Sequence, residues 1–377
     1  MTPRCLLVCL LVGAVAVTGS STTIVVDSVA DENGDTPPNG NCTLREAVLS
    51  ANGNLGVDAC AAGEAPPVVD VIEIPAGVFL LILAETGDAS GGSLDLTEDV
   101  ELTGSGLTVT VVDGDGGEFL EAVLEVAAGA SVEVSDVWVR GGYSNFVGVE
   151  NNGNLTLTRC RVAHNRGRGI GNWGVMTAME CSIDNNFGST SGAGVYNRGD
   201  LTIVDSTVTD NDGIGISNVS ALHLNRATVH GNQGQGIAGY GGMEVLNSTI
   251  SGNDSGPSGV GGGISVNLDG SILINNSTIT ANTAGYGSGL YVQPNATAQL
   301  QNTIIAGNLL AIDCLIYGTL ISTGGNIEGP GSSCGLGHLT DQVAVTAGDL
   351  ALGQLSNYGG ATKIHGLLPG SVAIDAG

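Results

Sequence analysis

The sequence is poor in aromatic residues, in charged residues and above all in basic residues. Aromatic side chains make up 3% and charged side chains 12% of the 377 residues, and 10 Lys and Arg stand against 37 Asp and Glu, for a net charge of −27. A chain this acidic is repelled by a phosphate backbone, so nucleic acid is excluded as an expected partner. Outside the N-terminal segment no run of eighteen apolar residues occurs, so no membrane span is expected.

Motifs of several common chemistries are also absent. The sequence has no C-x-x-C pair, which argues against a zinc ribbon. A polyuronate lyase needs a base and nearby cations, yet Lys363 is the only lysine. The signature motifs of pectate lyases and polygalacturonases are missing as well. These absences favour a protein without catalytic activity.

Glycine, by contrast, is abundant. There are 62 glycines, about one residue in six, and 42% of the residues are hydrophobic. Each glycine inside a helix costs about 1 kcal/mol, which excludes a helical bundle. Glycine does not recur at every third position, which excludes collagen, and the apolar content argues against disorder. The composition therefore predicts an all-β protein with a core of small aliphatic residues.

The N-terminal segment predicts export. Residues 1–22 have the pattern of a secretory signal peptide, with Arg4 ahead of an apolar run that is too short for a membrane span, followed by small residues. We expect the mature chain in the extracellular space or associated with the cell surface.

Six cysteines remain after the signal peptide, and an exported chain permits disulfides. Proximity in the sequence suggests the pairs Cys42–Cys60, Cys160–Cys181 and Cys314–Cys334, among fifteen possible pairings. The alternative is that they are buried thiols.

A repeat runs from residue 155 to residue 308. Each unit has an alternating strand, a small residue, a second alternating strand that ends in Asn, and a glycine-rich return. The closing asparagines recur at steps of 21 to 29 residues, about 24 on average: Asn165, Asn186, Asn211, Asn232, Asn253, Asn282 and Asn308. This period predicts a solenoid. We interpret the asparagines as structural, because Asn tolerates left-handed backbone and its amide bonds the next amide in a stack.

Three short strands in a turn of about 24 residues predict a parallel β-helix. Two positions after the small residue, every repeat has a β-branched residue that we expect to point inward, as a narrow packed interior requires. These residues are Val162, Ile183, Val208, Val229, Ile250, Ile279 and Ile305. A looser alternation between residues 71 and 139 adds about three rungs, for about ten in all. Cys160 and Cys181 fall in the small-residue column of neighbouring rungs, where a disulfide would fit.

The first rung needs a cap, and the sequence supplies one. Thr43-Leu-Arg-Glu46 is a capping box, which predicts a short helix with Leu44, Ala47 and Val48 on its apolar face. The chain then divides into the signal peptide (1–22), an N-terminal cap (23–70), β-helix repeats (71–310), and C-terminal rungs with a second cap (311–377).

Two segments carry a family resemblance. Asn41-Cys-Thr-Leu-Arg-Glu-Ala-Val48 resembles the CSLREA domain of bacterial secreted β-helix proteins, with Thr43 in place of the usual Ser. The tail from Leu355 is similar to the closing segment of choice-of-anchor Q proteins, with Tyr358 inserted after Asn357. The resemblance implies a right-handed parallel β-helix that is exported or attached to a surface. It transfers no catalytic residues.

The basic residues gather in the middle of the chain. Residues 158–230 hold six Arg, against three basic residues before them and one after them. We interpret Arg161, His164, Arg166, Arg168 and Arg198 as a patch that binds an anionic extracellular polysaccharide, since Arg forms forked bonds with carboxylates and sulfates. The alternative is that opposite charges pair between rungs, in the column Arg159, Glu180, Asp205 and Arg226. In this alternative, Arg161, Arg166 and Arg168 have no such oppositely charged partner in the repeat.

Further alternatives remain open at this point. If the protein is an enzyme, we expect a polysaccharide lyase or epimerase that uses His164, Arg166, Arg168 and His230. A remote alternative is ice binding by the Thr-x-Thr pairs that flank the Val/Ile column. A weak Ca²⁺ site is predicted at Asp27, Asp31, Asn33 and Asp35, whose oxygen ligands alternate.

Overall fold

A computed structural model describes residues 21–34, 38–84, 86–114, 122–143, 147–188 and 192–376. The chain winds through three parallel sheets, and each turn adds one strand to sheet A, then one to sheet B, then one to sheet C. Ten turns carry a strand in all three sheets, which confirms a parallel β-helix of about ten rungs. Residues 1–20 of the predicted signal peptide lie outside the described residues.

Short strands of three to five residues build all three sheets. The strands of sheet A are Thr23–Val25, Asp70–Ile74, Val100–Gly104, Ser131–Ser135, Asn154–Thr158, Val175–Met179, Asp200–Val204, Ala221–Asn225, Gly242–Leu246, Ser271–Asn275, Thr297–Gln301 and Thr319–Ser322. The strands of sheet B are Gly77–Leu80, Thr110–Asp113, Trp138–Arg140, Arg161–Ala163, Ser182–Asp184, Thr207–Thr209, Thr228–His230, Thr249–Ser251, Thr278–Thr280, Ile304–Ala306 and Ile327–Gly329. The strands of sheet C are Leu94–Leu96, Ala122–Val126, Val147–Asn151, Arg168–Asn172, Val195–Asn197, Ile216–Asn218, Ile237–Gly239, Ile264–Val266, Leu290–Val292 and Cys314–Ile316.

The interior is a continuous aliphatic core. Alternate residues of each strand point inward, so one column of side chains stacks on the next rung of the same sheet. The column from Val162 to Ile305 is buried at every rung. Equivalent residues are in register from rung to rung, as Val162 with Ile183 and Ile183 with Val208 show.

The repeated asparagines form a hydrogen-bonded ladder at the turn between sheets B and C. From Asn165 to Asn282, each Nδ2 donates to the Oδ1 of the next ladder asparagine at 2.8 to 3.0 Å. Asn308 donates to the carboxylate of Asp313 at 2.8 Å, which ends the ladder. The structural interpretation of these asparagines is confirmed.

A second ladder, which the sequence analysis missed, lies at the turn between sheets C and A. Asn151, Asn172, Asn197 and Asn218 are fully buried and bond one another through their side chains at 2.7 Å. In the sequence, each of these asparagines stands two residues after the inward-facing apolar residue of its sheet C strand, as in Ile170-Gly-Asn172 and Ile216-Ser-Asn218.

The N-terminal cap is a helix from Leu44 to Gly53. Thr43 and Glu46 form the predicted capping box, with the backbone N–H of Thr43 donating to Glu46 Oε2 at 3.0 Å. Its apolar face packs in the same core as the first strands. Of the described helices, Leu44–Gly53 and the short Ala347–Leu350, none is long and apolar enough to cross a membrane.

Two of the three predicted disulfides are formed, Cys42–Cys60 and Cys314–Cys334. The third is wrong, because Cys160 and Cys181 are free, buried thiols. Their thiols turn towards carbonyl oxygens of the strands, Cys160 to Val134 at 3.3 Å and Cys181 to Met179 at 3.2 Å. Stacking in one column therefore brings the two residues together without aligning their sulfurs for a bond.

The C-terminal segment lies along the side of the β-helix. An antiparallel hairpin, Leu352–Ser356 with Ile364–Leu367, packs on the outer face of sheet B. Thr228 Oγ1 donates to the Lys363 carbonyl at 2.6 Å, and Ser251 Oγ lies 2.8 Å from His365 Nε2. Part of the Thr-x-Thr array is thereby covered, since Thr228 and Thr249 are buried, so the array is not the open flat face that ice binding requires.

Asn211 tests the first ladder. Its side chain accepts from Asn186 at 2.9 Å and donates to Asn232 at 2.9 Å, in a fully buried site. Asn211→Ala leaves these partners unsatisfied, so we expect a loss of about 3 kcal/mol in the free energy of unfolding, measured by urea denaturation. The control Asn154→Ala removes an exposed amide with one long bond of 3.4 Å to Ser131 and should cost less than about 0.5 kcal/mol. Equal costs would contradict a structural role of the ladder.

Asp313 makes the stability of the last rungs depend on pH. Burial and then the nearby charge of Glu328 raise the pKa of Asp313 against the lowering effect of Asn308. Because the folded pKa lies above the unfolded one, the stabilising contribution is complete below about pH 4 and is lost as pH rises through the folded pKa. Asp313→Asn keeps an acceptor for Asn308, so its stability relative to the parent protein should be greater at pH 7 than at pH 4.

Asp341 provides a control of opposite sign in the same urea experiments. Burial acts to raise the pKa of Asp341, but hydrogen bonds from Ser322, His338 and Asn326 outweigh it and lower the pKa. The stabilising contribution of a lowered pKa is complete above the unfolded value of about 3.9 and is lost as pH falls through the folded pKa, so Asp341→Asn should lose more stability at pH 7 than at about pH 2. The same pH trend in both variants would contradict the assignment.

Candidate functional site

The outer face of sheet B carries one tryptophan next to two arginines. The guanidinium carbon of Arg140 lies 4.8 Å, and that of Arg161 4.6 Å, from the ring centroid of Trp138. Asp113 bonds Arg140 at 2.7 Å, and Asp184 bonds Arg161 at 2.6 Å. We call these five residues the Arg–Trp cluster. They lie on four successive strands of sheet B, so each is about 4.8 Å from the next rung.

The ion pairs hold the arginine planes against the indole. Arg161 donates from Nε and Nη2 to both oxygens of Asp184, at 2.9 and 2.6 Å, and the Nη1 edge takes no part in this pair. Burial acts to raise the pKa of Asp184, but bonds from Arg161, Asn185 and Ser182 outweigh it and hold the pKa below its ordinary value. Asp184 is therefore ionised at neutral pH and fixes the guanidinium for a further planar, anionic ligand.

A cleft beside the cluster contains a histidine. It has a volume of about 230 Å³ and is lined by Asp113, Arg140, Gly141, His164 and Arg166. The imidazole centroid of His164 lies 5.8 Å from that of Trp138. His164 has a left-handed backbone with φ of 58°, which turns the chain out of sheet B and brings its ring to the rim of the cluster. The imidazole of His164 and the guanidinium groups of Arg140 and Arg166 thus line one cleft.

Larger clefts in the described part of the chain are lined by fewer charged side chains. One of about 400 Å³ on sheet A holds the pair His223–Glu244, and one of about 320 Å³ lies between sheet B and the C-terminal hairpin beside His365. Neither combines arginines with an aromatic ring. The Arg–Trp cluster with its cleft is therefore the better candidate.

The charge pairing differs from the sequence expectations in two places. Arg161 was expected to lack a partner, yet it pairs with Asp184, which lies opposite Ala163, two positions further along the strand. Such diagonal neighbours are within reach of a long side chain. The sequence analysis compared only residues that lie directly opposite one another on neighbouring rungs, so it missed this pair. Arg159 pairs with Asp136 of the preceding rung at 2.6 Å rather than with Glu180. The predicted pair of Asp205 with Arg226 is formed at 2.6 Å.

The predicted patch is divided between two sides of the β-helix. Arg161, His164 and Arg166 lie on sheet B and on the turn that leaves it, where Arg166 faces the ring of Tyr143 at 5.7 Å. Arg168 begins a strand of sheet C, and Arg198 follows the next strand of that sheet. His230 lies three rungs beyond His164, about 14 Å along the axis, so it does not belong to the same cleft.

Trp138 is the contact that the sequence analysis missed. Its signal was available, since the sequence contains two tryptophans and Trp138 precedes Arg140 at an outward spacing of two in a predicted strand. Its indole Nε1 is buried without a hydrogen-bond partner among the described residues. An unsatisfied buried donor is uncommon and marks a site that deserves a functional explanation.

The predicted Ca²⁺ ligands are used within the N-terminal cap. Asp31 is buried against Arg45 at 2.6 Å, and Asp27 accepts from the backbone of Cys42 at 2.8 Å. Asn33 donates to the Ser90 carbonyl at 3.0 Å, and Asp35 lies outside the described residues. In the described ranges no three His, Cys, Asp or Glu side chains are grouped to hold a metal ion.

With this geometry established, comparison with known proteins identifies the fold. A family model described as "Right handed beta helix region" matches residues 122–262, a range that contains most of the cluster. A search of curated proteins finds no match. The handedness implied by the sequence resemblance is thus supported, and the chain is a right-handed parallel β-helix.

Solved structures share the fold at low sequence identity. Pectate lyase Pel9A has a TM-score of 0.50 at 13% identity, over 80% of this chain and 78% of that one. The mannuronan C-5 epimerase AlgE4 A-module of Azotobacter vinelandii has a TM-score of 0.43 at 19% identity, over 68% and 79%. A pectin methylesterase from carrot has a TM-score of 0.45 at 15% identity, over 81% and 90%. At this level the likeness concerns the fold, and function has to be argued from the site.

Proposed function

We propose that this chain is an extracellular β-helix protein that binds acidic polysaccharide through the Arg–Trp cluster without cleaving it. The observation that supports the proposal most strongly is the position of the Arg140 and Arg161 guanidinium carbons, 4.8 and 4.6 Å from the centroid of the Trp138 ring. An aromatic ring offers a face for a pyranose, and fixed guanidinium groups offer forked donors to a carboxylate or sulfate.

The charge distribution favours an anionic ligand at this position. The whole chain carries a net charge of −27, which repels a polyanion from most of its surface. The central rungs are the exception, since they hold six of the ten basic residues. A polyanion therefore approaches the β-helix with least repulsion at the Arg–Trp cluster.

Several features support an extracellular location. One disulfide cross-links the N-terminal cap and another cross-links the last rungs. Disulfides persist in oxidising compartments. The segment before the described residues has the pattern of a signal peptide. The resemblance to CSLREA and choice-of-anchor Q proteins, at the capped helix and at the tail, also implies export or surface attachment.

Substitution of the stacked arginine tests this proposal. Arg161→Lys keeps the charge but loses the planar fork that contacts both Trp138 and Asp184. We expect about tenfold weaker binding to polygalacturonate or alginate, measured by titration calorimetry, because a stacked and bidentate contact contributes about 1.4 kcal/mol. Raised salt should weaken the binding of the parent protein.

The matched control is Arg226→Lys. Arg226 makes the same kind of bidentate pair, with Asp205 at 2.7 and 2.6 Å. It directly follows the sheet A strand Ala221–Asn225 and does not belong to the Arg–Trp cluster. The affinity of the Arg226→Lys variant for polygalacturonate or alginate should equal that of the parent protein. Equal affinities in all three proteins, or binding of neutral cello-oligosaccharide as tight as binding of polyuronate, would overturn the proposal.

A second candidate function is eliminative cleavage of a polyuronate. The cleft beside the Arg–Trp cluster favours it, because His164, Arg140 and Arg166 all line this cleft. In such a reaction His164 would take the C5 proton, the C4–O bond would break with formation of a C4=C5 double bond, and the leaving oxygen would gain a proton. The arginines would neutralise the substrate carboxylate as charge develops next to it.

Absorbance at about 235 nm, where unsaturated uronate ends absorb, tests this candidate with polygalacturonate and alginate, each with and without Ca²⁺. Elimination predicts a steady rise that His164→Asn abolishes; Asn tolerates the left-handed backbone of this position. His230→Asn, outside the cleft, serves as the control and should keep the full rate. A flat trace with the parent protein excludes elimination on these substrates.

A further inference from the structure

A second aromatic surface lies around the corner from the Arg–Trp cluster. Trp173 follows the last residue of the sheet C strand Arg168–Asn172 and is 38% exposed. Its ring meets the ring of Tyr196 edge-on, with centroids 6.2 Å apart. The guanidinium carbon of Arg168 lies 4.5 Å from the Tyr196 centroid. The sequence contains two tryptophans, and each is part of a cluster with arginine on the same central rungs.

The position of Trp173 depends on a glycine and on the second asparagine ladder. The backbone N–H of Trp173 donates to the Asn151 carbonyl at 2.8 Å, which fixes the turn that follows Asn172. Its ring comes back over the strand beside Gly171, where an added Cβ would lie 2.5 Å from ring atom Cζ3. Because Gly171 has no side chain, it leaves space for the indole at this position.

Positive charge adjoins this surface on the next rung. The backbone N–H of Arg198 donates to the Asn172 carbonyl at 2.7 Å, so Arg198 occupies the position equivalent to Trp173 one rung further on. Its side chain is exposed. Glu150 lies directly opposite Gly171 on the preceding rung, and its Oε1 accepts from Asn152 Nδ2 at 3.3 Å. The aromatic rings and the cations together suit an acidic pyranose.

We propose that Trp173, Tyr196, Arg168 and Arg198 form a second binding surface for acidic sugar units, which makes the protein bivalent for polyuronate. The inference rests on the proposed function, since it assigns the same class of ligand to both surfaces. Trp138 lies on sheet B and Trp173 at the turn after sheet C, so the two surfaces face different directions. A straight glycan segment contacts one of them at a time, and one protein molecule links two segments.

Single-tryptophan variants report each surface separately. Trp138→Phe leaves Trp173 as the fluorophore, and Trp173→Phe leaves Trp138. With hexagalacturonate and an alginate hexamer as probes, and cellohexaose as the neutral control, we expect a saturable change of emission from both variants with the acidic probes. In the Trp138→Phe background, Gly171→Ala should displace the indole and weaken the response at least tenfold. The same glycine substitution in the Trp173→Phe background should leave the response of Trp138 unchanged.

Bivalency has its own readout in light scattering of the protein mixed with long polygalacturonate. The parent protein should raise the scattering through cross-links, with a maximum at intermediate protein concentration. Arg198→Gln and Trp173→Ala should bind the polymer with little cross-linking.

The outcomes separate the two proposals. If Trp138 responds to the acidic probes and Trp173 does not, the second surface is refuted and the proposed function stands. If Trp173 responds and Trp138 does not, the Arg–Trp cluster is not the binding site and bivalency fails. No response from either tryptophan to both acidic probes overturns both proposals.

Discussion

The in-register stacking of rungs is the constraint on which the rest of this structure depends. From Asn165 to Asn282, each asparagine of the first ladder bonds the asparagine of the next rung through its side chain, and the Oδ1 of that next asparagine also accepts from the backbone, as Asn186 does from Asn165. A slip of one residue would break these bonds and turn the aliphatic column outward at the same time. With two ladders at two corners, every outward residue has a fixed neighbour one rung away.

That fixed spacing builds the candidate site from residues far apart in the sequence. Asp113, Trp138, Arg161 and Asp184 are each more than twenty residues from the next, yet they follow one another on successive strands of sheet B. Arg161 reaches the ring of Trp138 from the next rung, because a rung spacing of about 4.8 Å suits the contact of a guanidinium with an indole, whereas Arg140 reaches it from two positions along the same strand. The two aspartates then hold the guanidinium groups in place against the ring.

Two features limit where a polyanion finds a favourable surface. Acidic residues dominate the chain on both sides of the central rungs, so repulsion rises towards either end. On sheet B, the C-terminal hairpin covers the face from Thr228 onward, through bonds to Lys363 and His365. The open part of that face therefore lies on the rungs that carry the Arg–Trp cluster. The tail contributes to the shape of the site although it contributes no residue to the cluster.

The sequence by itself determined the parallel β-helix, the seven ladder asparagines and the capped N-terminal helix, because each depends on local spacing that the repeat displays directly. The tertiary structure alone decided which charges pair, as with Arg161 and Asp184, because diagonal contacts depend on side-chain reach between rungs. It also decided that no disulfide joins Cys160 and Cys181, since two residues can share a column without their sulfurs pointing at one another. The division of the arginines between sheets B and C follows from the four-residue turn 164–167 between strands Arg161–Ala163 and Arg168–Asn172. Neighbours in the sequence such as Arg166 and Arg168 thereby end on different sides of the molecule.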